Sequence, residues 1–222
     1  MKLARGAWSH ILVGVILLAA GAALFAAHHR ASGATTLALG VVVTAFMIYF
    51  FRDPERPVTV GDDILLCGAD GWCRNVETLA ENKFLKCDCV RICTFLTPFD
   101  VHVNRSPLAG TVVKLDYTPG RHVLTIQQAA SEVNEHSSIL IEGEQTRCLL
   151  RQIVGPLVRR VVYWLDEGQK IAKAERFGMM KFGSRLDVYF PVNDVEVLVK
   201  KGDRVFAGIT PLARVVRKDG RA

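Results

Sequence analysis

The sequence contains no glycine-rich phosphate loop, and beyond residue 51 it shows no long amphipathic helical pattern. The first absence removes the usual backbone cradle for a nucleotide's phosphates. The second leaves strands as the main building element of the larger part of the chain. Six cysteines, at positions 67, 73, 87, 89, 93 and 148, lack the spacing of a small disulfide scaffold. In a chain of 222 residues they are expected as reduced thiols in a cytosol-facing domain. Cys87, Cys89 and Cys93 share strand parity and have no histidine close by, which suits one face of an ordinary strand better than a thiolate metal site. No metal is expected.

What the chain has in excess is apolar residues, 50% of the total, with a net charge of +6. Most of that excess lies in the first 51 residues. Residues 11–27 form a run of 17 without a charge, and residues 34–51 another of 18. A helix needs about 20 apolar residues to span a bilayer, with about 17 as the lower limit. The break at residues 28–33 predicts a tight helical hairpin that either spans the bilayer or enters one leaflet and returns. Lys2 and Arg5 precede the first run, Arg52 and Arg56 follow the second, and only Arg30 lies between. That asymmetry places both ends in the cytoplasm. A cleaved signal peptide would explain the first run but not the second. The chain thus divides into a membrane hairpin (1–51), a linker with two prolines (52–57) expected to be neither helix nor strand, and a domain over 58–222.

That domain reads as short strands separated by turn residues. Residues 63–67, 90–96 and 110–117 are apolar or β-branched and end at glycine or proline. Residues 138–143 and 146–154 predict a hairpin, while 157–164 suits either helix or strand. Residues 106–113 and 199–208 resemble the two halves of biotinyl and lipoyl domains. The expected class is mainly β (α+β): a barrel-sandwich-like catalytic domain behind an N-terminal hydrophobic helical hairpin.

The groups with chemical potential are few. In residues 176–191, Phe182-Gly183-Ser184 leads into an alternating segment that predicts a half-buried strand. Gly183 tolerates backbone dihedrals that other residues do not, so it can set the Ser184 hydroxyl at a sharp step. Asp100 and His102 lie two residues apart on one face of an extended segment. A histidine near its ordinary pKa is the natural general base. Asp70, in an Ala-Asp-Gly turn, is positioned in sequence to orient such a histidine. Hydroxyl, imidazole and carboxylate are the parts of an activated nucleophile.

The motifs Phe51-Arg52-Asp53-Pro54-Glu55-Arg56, Ala69-Asp70-Gly71, Thr97-Pro98-Phe99-Asp100-Val101-His102-Val103-Asn104-Arg105, Arg176-Phe177-Gly178 and Phe182-Gly183-Ser184 occur in one order along the chain. Together they resemble the phosphatidylserine decarboxylase family in its short prokaryotic form. The resemblance implies a proenzyme that cuts itself between Gly183 and Ser184 and converts Ser184 into a covalent pyruvoyl group. It implies Ser184, His102 and Asp70 as catalytic residues, phosphatidylserine and the bilayer as partners, and a heterodimer of the two fragments, with a higher oligomer left open. It implies no nucleic-acid partner, and a place at the cell membrane with the catalytic domain facing the cytoplasm. Two positions depart from the family pattern: Gly68 stands where proline is common, and Asn134-Glu135-His136 where Asn-Glu-Arg is common.

Two other classes fit part of the sequence. A biotinyl or lipoyl carrier would use Lys181 in Met180-Lys181, but the following Phe182-Gly183-Ser184 does not suit a carrier lysine. A membrane metal-binding module would use the three thiols between residues 87 and 93.

Overall fold

The computed structural model describes residues 2–125, 127, 129–156, 161–181 and 183–216. The chain forms two compact units, residues 1–55 and 56–222.

The first unit contains β1 (Lys2–Leu3), α1 (Ala7–Ala26), α2 (Arg30–Phe50) and β2 (Arg52–Asp53). Both helices are long and apolar enough to cross a membrane, and only 17% of each apolar window is buried within the protein. They pack through glycine. A Cβ on Gly14 would lie 2.3 Å from Thr44 Oγ1, and one on Gly33 would lie 2.6 Å from the Phe25 nitrogen. Small residues at such positions let helix backbones approach closely. The break between the helices is shorter than residues 28–33. Arginine is a good helix former, and the Gly33 nitrogen already donates to the His29 carbonyl at 2.8 Å, so α2 starts at Arg30. The linker also differs from expectation. Arg52–Asp53 pairs antiparallel with Lys2–Leu3, and Pro54 then ends the pairing.

The second unit contains β3 (Ile64–Leu66), β4 (Gly71–Glu81), β5 (Cys87–Phe95), β6 (Val103–Arg105), β7 (Gly110–Thr118), α3 (Ala130–Val133), β8 (His136–Glu142), β9 (Arg147–Ile153), β10 (Val162–Tyr163), β11 (Lys170–Ile171), β12 (Arg176–Met179), β13 (Arg185–Pro191), β14 (Val195–Val197), β15 (Arg204–Val205) and β16 (Pro211–Val215). The mainly β architecture is the expected one. Eight strands in the order β11-β7-β8-β9-β13-β5-β4-β15 form a sheet that curls into a half-barrel. Two three-stranded sheets, β10-β12-β6 and β14-β16-β3, complete the unit. β8 and β9 form the predicted antiparallel hairpin. Of residues 157–164, Val162–Tyr163 are strand, and 157–160 lie outside the described residues. The two segments likened to carrier halves contribute β7 and β15, which stand near opposite ends of the sheet.

β13 occupies the middle of the sheet, paired to β5 on one side and β9 on the other. Leu186, Val188 and Phe190 point into the main core with Ile92, Ile139, Leu150 and Phe177. Each such side chain contributes roughly 1.5–3 kcal/mol by leaving water. The alternating pattern suggested a half-buried strand, but all seven residues of β13 are buried. The opposite face, Arg185, Asp187 and Tyr189, is covered too. Tyr189 packs with Leu85, Cys89, Leu140 and Leu149. Arg185 and Asp187 are held by their ion pair and by polar contacts, described next, and buried charges are tolerated when they are paired.

Candidate active site

One rim of the large sheet gathers the candidate residues. The pairing register runs in a single row across seven strands: Thr118, His136, Ile153, Arg185, Phe95, Trp72 and Arg204. Ser184 immediately precedes Arg185, and Asp70 lies two residues before Trp72. Trp72 and Arg185 both pair with Phe95, so they sit about 10 Å apart across β5. Gly71 is required between Asp70 and Trp72, because a Cβ there would lie 2.1 Å from the Phe95 carbonyl oxygen.

β6 ties the remaining candidate to this rim. The Met180 nitrogen donates to the His102 carbonyl at 3.1 Å, and the Arg105 nitrogen donates to the Gly68 carbonyl at 2.9 Å. His102 is therefore held against the segment that leads to Ser184, and its strand against the turn that carries Asp70. Behind it, Ser137 Oγ donates to Gln152 Oε1 at 2.9 Å and Gln152 Nε2 to Asn104 Oδ1 at 2.8 Å, a buried polar chain that fixes β6 to the sheet.

Asp70 is buried, and Arg56 grips its carboxylate at 2.5 and 2.8 Å through two guanidinium nitrogens. The Ala207 nitrogen donates to the same carboxylate at 2.8 Å, while the Ala207 carbonyl accepts from Arg56 at 2.6 Å. Arg56 takes both carboxylate oxygens, as the bidentate geometry of guanidinium favours.

His102 is fully buried, and its Nδ1 lies 2.9 Å from the Asp100 carbonyl oxygen. A carbonyl can only accept, so Nδ1 carries a proton in this contact. The Asp100 carboxylate faces elsewhere. It accepts from the Thr97 nitrogen at 2.7 Å and the Thr97 hydroxyl at 2.8 Å, and it pairs with Arg204. Burial pushes the Asp100 carboxyl up, but the Arg204 and Thr97 donors outweigh it and hold the group below its ordinary value.

Ser184 is fully buried, and its hydroxyl donates to the Lys181 carbonyl at 2.9 Å. Phe182 lies outside the described residues. Gly183 has φ 75°, the left-handed region expected of a glycine at a sharp step. Its carbonyl accepts from the Thr125 hydroxyl at 2.8 Å, and a Cβ on Gly155 would lie 2.4 Å from that oxygen. Thr125 is itself anchored, since Arg185 donates to the Thr125 carbonyl at 3.1 Å and the Gln127 carbonyl at 2.9 Å. Arg185 also donates to Ser131 Oγ, whose hydroxyl donates to Asp187 Oδ2 at 2.6 Å. The polar face of β13 thus fastens the loop that touches the Gly183–Ser184 bond.

Sequence reasoning did not single out Thr125, Arg185 or Asp187, and it used Arg56 as a basic flank of the second apolar run and as part of a motif, not as a partner of Asp70. The alternation of Arg185 and Asp187 was visible, but their burial comes from a loop more than 50 residues away in sequence. Thr125 carried no signal.

The other two histidines of this region sit on the Asn134-Glu135-His136 side. His122 Nε2 lies 2.9 Å from Glu135 Oε2. His136 Nδ1 donates to the Asn134 carbonyl at 2.7 Å; burial and the neighbouring Arg151 and Lys83 charges hold its pKa below the ordinary value, against the opposing pull of that carbonyl. Among the described residues no group of three histidine, cysteine or carboxylate side chains converges on a metal position. Burial pushes the Cys67 and Cys89 thiols up to about 12, which disfavours thiolate ligands at neutral pH.

A family model described as phosphatidylserine decarboxylase matches residues 43–213. The phosphatidylserine decarboxylase proenzyme of Symbiobacterium thermophilum is 38% identical over 214 residues, covering 96% of this chain and 95% of the relative. The proenzyme of Carboxydothermus hydrogenoformans is 39% identical over 170 residues, 77% of this chain and 80% of its own length. The proenzyme of Rickettsia bellii is 38% identical over 184 residues, 81% and 79%. The matched region contains Asp70, His102, Gly183 and Ser184, with every strand that positions them. The chain belongs to the phosphatidylserine decarboxylase family.

Proposed function

We propose that the protein is a membrane-associated proenzyme that cuts itself between Gly183 and Ser184 and then decarboxylates phosphatidylserine to phosphatidylethanolamine and carbon dioxide. The observation that carries this reading is the Gly183–Ser184 bond itself. Gly183 is left-handed and half-buried, Ser184 is buried, and the Gly183 carbonyl already accepts a hydrogen bond from Thr125. A pyruvoyl group in place of Ser184 would fit, because the residue is fully buried at the sheet rim, away from water that would compete.

His102 takes the Ser184 hydroxyl proton on Nε2, the ring nitrogen that does not donate to the Asp100 carbonyl. Ser184 Oγ attacks the Gly183 carbonyl carbon, and the peptide C–N bond breaks to leave an ester and a free Ser184 amine. Thr125 stabilises the negative charge that develops on the Gly183 oxygen. Loss of the Ser184 α proton expels the Gly183 carboxylate, and hydrolysis then releases ammonia. A pyruvoyl group at this position would supply the electron sink for the pair released when carbon dioxide leaves. His102 then delivers a proton to the substrate α carbon. Asp70 supplies a fixed negative charge at the same rim that favours the protonated imidazole; Arg56 balances it in the uncut chain.

The cut leaves residues 1–183 and 184–222. β13 starts at Arg185 and stays paired with β5 and β9, so the two fragments are expected to remain a heterodimer. The helices α1 and α2 hold the protein in the membrane where its substrate resides, with basic residues at both ends on the cytoplasmic side. The test is release of carbon dioxide from phosphatidylserine by the purified protein. Wild type turns over, Ser184→Ala does not, and turnover by the variant would remove Ser184 from the chemistry.

A further inference from the structure

The rim that carries Asp70 and Ser184 also carries a cluster of exposed apolar side chains. Trp72 is 44% exposed, Phe99 66%, Phe206 39% and Ile209 52%. Scattered single apolar residues are ordinary on a surface, but a contiguous group is not. These residues are brought together by Arg204. Its guanidinium lies 5.5 Å from the Trp72 ring centre and 5.0 Å from that of Phe206, and it pairs with Asp100, the neighbour of Phe99. The turn that includes Phe206, Ala207 and Ile209 reaches Asp70 through the Ala207 nitrogen. Basic residues border the cluster. Arg74 stacks 5.3 Å from the Phe95 ring, and the Lys200-Lys201 turn is held on β4 by the Gly202 nitrogen donating to the Cys73 carbonyl at 2.7 Å. Trp72, Arg74, Phe95, Thr97 and Lys201 share a shallow cavity of about 320 Å³.

We propose that this rim is a bilayer-docking surface of the second unit, with an anionic phospholipid surface as its partner. Amphipathic aromatic rings sit favourably at the depth of lipid headgroups, and lysine and arginine at the edge attract an anionic leaflet. The inference rests on the reading that the substrate is a phospholipid held in a bilayer. A two-chain lipid that left the bilayer would expose its acyl chains to water, and a site whose mouth lies in the interface avoids that step. Asp70 lies two residues before Trp72, and Ser184 immediately precedes Arg185 in the same pairing row, so docking brings the rim that carries both to the interface.

The helices keep the full chain in vesicles whether or not the rim docks, so binding alone does not read the surface. Trp72 does. The full chain with Trp8→Phe and Trp164→Phe retains Trp72 as its one tryptophan. It is reconstituted into vesicles of phosphatidylcholine and phosphatidylglycerol, with or without bromine on the acyl chains. Trp72 fluorescence is expected to be quenched by the brominated lipid, and more strongly when phosphatidylglycerol is present. Lys200→Gln and Lys201→Gln are expected to reduce that anionic preference by about fivefold per charge removed. Trp72 left unquenched, and as open to aqueous iodide in vesicles as in detergent, overturns the proposal. A second measurement uses Trp72→Ala with Phe206→Ala, whose cleavage into two chains reports a folded domain. Turnover of vesicle phosphatidylserine should fall while turnover of a monomeric short-chain phosphatidylserine is kept. An equal fall on both substrates overturns the docking role. Failure of the wild type on both substrates would instead count against the enzymatic reading, and the quenching result decides the docking surface independently of it.

Discussion

The Thr125 hydroxyl donates to the Gly183 carbonyl at 2.8 Å across 58 residues of chain. That contact polarises the carbonyl of the peptide bond that the proposed cleavage breaks. Removing a single donor to a developing oxyanion typically costs about 10²–10³ in rate. Thr125→Val should therefore slow self-cleavage by roughly that factor, and Thr125→Ser should restore most of it. The time course of fragment appearance on a denaturing gel measures both. An unchanged rate in the valine variant would make the contact a mere packing detail.

Arg185 and Asp187 form a fully buried pair that anchors the loop carrying Thr125, with Arg185 Nε 2.9 Å from Asp187 Oδ1. Breaking a buried pair by removing one partner costs roughly 3–5 kcal/mol, because the other charge is left without compensation. Asp187→Ala should lower the thermal midpoint by several degrees and slow cleavage as well. A variant with the wild-type midpoint would show that water enters and compensates.

The fold was largely readable from the residues, and the reasons for the exceptions are physical. Helices α1 and α2 followed from charge-free runs, but the start of α2 was missed because Arg30 does not oppose a helix. The hairpin of β8 and β9 followed from apolar runs separated by a glycine turn. The two-sided burial of β13 did not, since alternation reports which residues are polar and not whether a distant loop covers them. Within the candidate site, the motifs led to the expectation that Asp70 and His102 lie close to each other and to Ser184. They did not disclose that Arg56 holds Asp70, because a guanidinium partner 14 residues away leaves no periodic trace.

Acidification should weaken the domain through His136. Burial, reinforced by Arg151 and Lys83, depresses its pKa from the ordinary 6.5, although the Asn134 carbonyl opposes the shift. As pH falls, the unfolded chain binds the proton before the folded one does. The contribution is complete above 6.5 and is lost as pH falls through the folded value. Denaturant midpoints from neutral to mildly acidic pH should decline in wild type and decline less in His136→Gln. Identical slopes would show that His136 takes no part.

In the proposed mechanism His102 serves two steps with different demands. Cleavage occurs once and tolerates a slow base, whereas turnover needs a positioned acid in every cycle. General acid–base help is typically worth about 10²–10⁴ in rate. His102→Ala should cut slowly, and its cut fraction should release carbon dioxide more slowly than wild type by about that factor. Wild-type turnover per cut chain would direct attention to His122 and His136 as the proton source.

The measurement closest to the central claim is the chain composition of the purified full-length protein, wild type beside Ser184→Ala, by denaturing gel and intact mass. Wild type should give two chains, residues 1–183 and 184–222, and the smaller should resist Edman sequencing because a pyruvoyl terminus has no amine. Ser184→Ala should remain a single chain of 24.5 kDa. A wild-type protein that stays whole while it turns over phosphatidylserine, or a variant that still splits at the same bond, would contradict the account.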